Sequence, residues 1–159
     1  MRRIWLIFLF LILFSCAFGE ETNLEIIFSY ETEDSEFVKI SYDSLACVLH
    51  YSFAISDSVV MEVFDDLSDS IVVFEYSYYL RGGGPDNCGL DLNSFIFTID
   101  STQYEVYQDY SAEEDMDYVG LRVFDLRTGE DYDAPGLIES YQGHLMHFRF
   151  TGMIPDVDE

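Results

Sequence analysis

Apolar and polar residues alternate along most of the chain with a period of two, the spacing of a half-buried β-strand. Leu24, Ile26, Phe28 and Tyr30 stand against Glu25 and Ser29, and residues 37–42 form a second run. The cleanest alternation covers residues 46–55. There Cys47, Leu49, Tyr51, Phe53 and Ile55 share the face predicted to point inward, opposite His50 and Ser52. Residues 59–64 follow a Ser-Asp-Ser turn. The longest run, residues 71–81, carries Val72, Phe74, Tyr76, Tyr78 and Leu80 on one face and starts apolar on both. That pattern predicts a central strand, buried on both sides at its start. Gly82-Gly83-Gly84-Pro85 ends it, because glycine permits turn conformations and proline cannot sustain a ladder. Residues 93–99, 103–110 and 118–126 read as three more strands, and 144–151 as the last. Ser111-Ala112-Glu113-Glu114 matches a capping box and predicts one helical turn. Residues 131–140 read as an acidic loop, and 152–159 as a frayed acidic tail.

Many short strands, frequent turn signals and almost no helical period predict an all-β fold. The expected form is an antiparallel β-sandwich, jelly-roll or immunoglobulin-like, with a closed β-barrel as the alternative. The strands lack the continuous apolar lipid face of an outer-membrane barrel. Without a repeat or a linker, residues 20–159 are expected to form a single domain.

The first nineteen residues break the pattern. Arg2-Arg3 precedes an apolar run, residues 4–14, of eleven residues. At about 1.5 Å per residue this spans roughly 16 Å, against about 30 Å of hydrocarbon, so it is too short for a transmembrane helix. A positive start, a short greasy stretch and the small residues Ala17 and Gly19 resemble a secretory signal peptide cleaved after Gly19. Leu13-Phe14-Ser15-Cys16 resembles the lipobox of bacterial lipoproteins, which implies cleavage before Cys16 and lipidation of its sulfur. Either route implies export to the cell envelope or beyond, with membrane attachment only through a lipid anchor. Asn23, Asn87 and Asn93 all lack a hydroxyl residue two places on, which favours a bacterial over a eukaryotic secretory origin.

Charge narrows the partners. The sequence has 31 acidic and seven basic residues, a net charge of −24 at neutral pH. Loss of Arg2 and Arg3 with the leader takes this to −26. Such a chain is not built to hold nucleic acid, whose phosphates require Lys and Arg, but it attracts cations and basic partners. Removal or lipidation of Cys16 leaves Cys47 and Cys88, an even pair suited to one disulfide in an oxidising compartment. A bridge closing about forty residues is worth roughly 4 kcal/mol by chain entropy.

Candidate chemistry is sparse. His144 and His147 fall on opposite faces of the predicted strand, so they share no metal. The acidic stretch Asp109, Glu113, Glu114, Asp115 and Asp117 offers oxygens for calcium, without EF-hand spacing. No nucleophile elbow or phosphate-binding loop occurs. Glu62 and Glu75, set among apolar strand residues, are the candidate acids for a secreted hydrolase with paired carboxylates. Tyr76, Tyr78, Tyr79 and Tyr107 are the candidate stacking residues of a carbohydrate-binding module. The leading expectation is an exported, non-catalytic β-sandwich interaction or envelope protein that binds a protein or carbohydrate ligand and needs no cofactor.

Overall fold

A computed structural model describes residues 24–82 and 89–157. Ten strands run through it: β1 Leu24–Glu31, β2 Glu36–Asp43, β3 Val48–Ile55, β4 Ser58–Asp66, β5 Phe74–Arg81, β6 Leu90–Ile99, β7 Thr102–Ser111, β8 Met116–Asp125, β9 Asp131–Pro135 and β10 Gln142–Gly143. A short 3-10 turn covers Ile138–Ser140, and one α-helix, α1, spans Met146–Thr151. The strands form two antiparallel five-stranded sheets, ordered β10-β1-β2-β3-β4 and β5-β6-β7-β8-β9. The expected sandwich is therefore present. Its connections, however, are two consecutive meanders, β1 to β4 and β5 to β9, after which β10 crosses back to lie beside β1, rather than the Greek-key crossings of jelly rolls and immunoglobulin domains.

The two inner faces meet in an aromatic core. Phe28, Tyr30, Val38, Ile40, Leu49 and Tyr51 from the first sheet pack over Phe74, Tyr76, Phe95, Phe97, Val106 and Leu121 of the second. Tyr51 meets Phe97 at 4.6 Å between ring centroids, and Phe97 stacks on Tyr104 at 5.0 Å. Asp65 controls the crossover between sheets. It is buried, and its Oδ2 accepts Val73 N–H at 3.1 Å and Phe74 N–H at 3.0 Å. Those two bonds hold the start of the long apolar run in the crossover. The expected central strand is thus shorter, begins at Phe74, and lies at a sheet edge with Ile71 and Val72 exposed.

Other expectations give way at the C-terminal end. Residues 131–135 join the second sheet as β9, because the Arg127-Thr128-Gly129 turn brings them back beside β8. Residues 144–151, read as a strand, form α1 instead. Gly143 at φ 78° turns the chain off β1, and Leu145 and Phe148 drop into the core. Phe148 lies 5.3 Å from Phe95 and 6.1 Å from Tyr76, plugging the space between the sheets with a helical turn rather than a strand. The tail is not frayed as far as Val157. Ile154 is buried, Tyr76 N–H donates to Pro155 O, and Val157 N–H donates to Tyr76 O. Ser111-Ala112-Glu113-Glu114 forms the β7–β8 turn without a helix, since Ser111 stays paired with Met116 and Ala112 N–H donates to Gly89 O.

Candidate functional site

The inner face of the second sheet changes character along its length, and register fixes where. Reading across β5, β6, β7 and β8, the rows are Phe74–Phe97–Tyr104–Val123, then Tyr76–Phe95–Val106–Leu121. The next two are Tyr78–Asn93–Gln108–Val119 and Leu80–Asp91–Tyr110–Asp117. Two amides therefore occupy core positions, with Asn93 4% and Gln108 7% exposed. Burial of such groups is tolerated when every polar atom finds a partner. Tyr76 Oη donates to Asn93 Oδ1 at 2.5 Å, and Asn93 Nδ2 donates to Asp91 Oδ1 at 2.9 Å. Gln108 Oε1 accepts Leu145 N–H at 2.8 Å, which orients its amide nitrogen toward His144 Nδ1, 3.0 Å away. In this arrangement the Gln108 amide is placed to donate to the ring nitrogen. Above these residues opens a cavity of about 170 Å³, walled also by Asp109, Tyr110, Asp117 and Met146. Its chemistry is that of an acceptor-rich hollow, suited to water or a small donor.

The outer face of the same strands carries a charged network. Tyr107 lies nearly buried across Gly120, whose missing side chain leaves room for the ring. The Arg122 guanidinium sits 4.0 Å above the Tyr107 ring centroid. Its Nη1 donates to Glu105 Oε1 at 3.3 Å, and its Nη2 lies 3.5 Å from Asp109 Oδ2. Ser94 Oγ also donates to Glu105, at 2.6 Å. Burial pushes the Asp109 carboxyl up to about 6, against the opposing pull of Arg122. Burial likewise pushes the Tyr107 phenol up to about 12, helped by the nearby Asp133 carboxylate. One row further along, Tyr79, Leu92, Asp109 and Tyr118 align across four strands. Tyr79 is 54% and Tyr118 38% exposed.

The residues nominated from the sequence scatter across this frame. Tyr76 is core. Tyr78 is half-buried on the inner face beneath Arg149, whose guanidinium lies 4.1 Å from the ring centroid. Tyr79 and Tyr107 share the outer face, but Arg122 covers Tyr107, so the four do not form one stacking platform. Glu62 projects from the outer face of the first sheet, 3.1 Å from His50 Nε2. Glu75 projects from the outer face of the second, in the Ile96–Glu105–Arg122 row. The two carboxylates therefore cannot flank one cleft. Nor does the acidic loop converge on a cation. Tyr110 Oη donates to Asp115, Tyr118 Oη to Glu114 and Tyr141 Oη to Asp117, while Asp109 faces Arg122. Among the described residues no three His, Cys, Asp or Glu side chains gather as a metal site.

Cys47 is exposed in the β2–β3 turn at φ 57° rather than inward on a strand, because its carbonyl is drawn to Leu67 N–H at the turn. Cys16 and Cys88, with the leader, lie outside the described residues. The expected Cys47–Cys88 pairing therefore also falls outside the described residues. Asn93, Gln108, Gly120 and Arg122 are the site residues that pattern reading missed. A polar residue at an inward position of an apolar strand was the available signal for the two amides. For Arg122 it was a basic side chain within a strand of an acidic protein.

Comparison with protein-family models, with curated proteins and with solved structures finds no match for this chain.

Proposed function

We propose that this protein is an exported, non-catalytic interaction module of the cell envelope, released after Gly19 or anchored by lipid on Cys16. The observation that carries the reading is the Arg122 network. Among the described residues, the one carboxyl with a strongly raised pKa, Asp109, is tied with Glu105 to a single guanidinium stacked on Tyr107. Asp109 borders the cavity, but its side chain is only 15% exposed and is engaged by Arg122 rather than presented as a free acid. The leader pattern supports export, and the acidic surface supports a basic partner. Intact-mass spectrometry of the protein from its native host tests the first half. A chain beginning at Glu20, or at an acylated Cys16, is expected; an uncleaved chain in the cytoplasm overturns it.

A second reading, a carbohydrate-binding face, draws on the Tyr79–Leu92–Asp109–Tyr118 row. Three strand spacings of about 4.8 Å place the two exposed phenols roughly 14 Å apart, a span of a few sugar rings. Affinity electrophoresis in soluble polysaccharides tests it. Retardation that Tyr79→Ala and Tyr118→Ala each weaken supports the reading, and unretarded migration in every polysaccharide removes it.

A further inference from the structure

Sheet edges are where a sandwich recruits or repels other chains, and three of the four here are guarded. β10 is only two residues long. β9 has five residues, among them Pro135, Asp131 and Asp133. The β5 edge is bridged by the C-terminal segment, Tyr76 pairing with Asp156. Short length, proline, charge and a covering segment are the ordinary protections. β4 is different. It runs for nine residues and, among the described residues, pairs only with β3. The register shift opposite Phe53 and Ala54 leaves Val60 as an extra residue, so the bulge distorts the start and leaves Met61–Asp66 regular. Val59, Val60 and Phe64 are each more than half exposed. Phe64 is held flat by His50, with ring centroids 4.3 Å apart and planes 2° from parallel.

Charge selects the occupant. From Asp57 to Asp69 the chain has five acidic residues and no Lys or Arg. Two copies of this edge side by side would bring like charges together, which opposes self-pairing. An extended segment with alternating apolar and basic residues would gain the unpaired backbone groups, the Val and Phe surface and opposite charge together. We propose that β4 is a strand-addition site for a basic, extended segment of a partner protein. The proposal rests on the interaction reading but not on export.

The test uses a synthetic peptide alternating Lys and Val, with a Glu–Val peptide and a proline-interrupted Lys–Val peptide as controls. Binding is followed by titration calorimetry, and its location by amide hydrogen exchange. The Lys–Val peptide is expected to bind, to weaken as salt is raised, and to slow exchange within Ser58–Asp66. Glu62→Lys and Val60→Lys, both at exposed positions, are each expected to reduce affinity at least tenfold with melting temperature unchanged. Equal binding of the proline-interrupted peptide, no protection of β4, or full affinity in both variants overturns the proposal. Protection of β4 in the free protein at high concentration, with dimer formation, replaces the partner by a second copy. Binding that protects the Tyr79 face alone overturns the β4 site while leaving the interaction reading standing.

Discussion

Replacing Asp109 with Asn tests whether burial, rather than its ion pair, governs the Arg122 network. Folding raises the Asp109 pKa from 3.8 to about 6, with burial the largest cause and Arg122 opposing it. Its side chain is only 15% exposed, so solvent screening removes little of the effect. The folded protein therefore binds the Asp109 proton more tightly than the unfolded chain does. Its contribution to stability is complete below 3.8 and is lost as the pH rises through about 6. At about 1.36 kcal/mol for each pH unit, the full displacement amounts to roughly 3 kcal/mol. Asparagine has the shape of the protonated acid and no proton to lose. Asp109→Asn should match the parent near pH 3.5, exceed it by about 1 kcal/mol at pH 4.5, and exceed it by about 3 kcal/mol at pH 8. Urea denaturation across that range measures the difference, and subtracting the parent curve cancels the general repulsion of an acidic protein. A difference that stays flat with pH, or a variant less stable than the parent at pH 8, would refute the reasoning. Arg122→Met should widen the gap, because it removes the charge that most favours the carboxylate, leaving only the Asn93 backbone hydrogen bond.

Three further outcomes follow from the packing. Asp65→Ala strands the Val73 and Phe74 N–H groups at the crossover and should cost about 2–3 kcal/mol in urea denaturation. A cost near zero would mean that water replaces the carboxylate freely. Phe148→Ala empties the plug between the sheets and should cost about 3–5 kcal/mol, with faster hydrogen exchange in α1 and at Tyr76. An unchanged denaturation midpoint would place α1 outside the cooperative fold. Gly120→Ala drives a methyl into the Tyr107 ring and should cost about 1–3 kcal/mol. Combined with Tyr107→Ala it should add little further cost, and strict additivity of the two would show that the ring is not the obstacle.

Period-two alternation alone placed eight of the ten strands, because one buried and one solvated face leave the same imprint wherever a strand lies. It also fixed the inward face of β3, where Leu49 and Tyr51 are fully buried. Which strands neighbour which, and which lie at the edges, depends on contacts far apart in the chain. The 71–81 run looked central because its start is apolar on both sides, yet Asp65 reaches eight residues along the chain to divert that start. Alternation in residues 144–151 resembled a strand because a short amphipathic segment fits either period. Only the gap between the sheets, filled by Leu145 and Phe148, selects the helix. The site followed the same division. Tyrosines and carboxylates are visible as residue types, but Arg122 reaches Glu105 and Asp109 only because β7 and β8 pair in one register. Local pattern reports the environment a residue needs, whereas its partners are chosen by the pairing of segments distant in sequence.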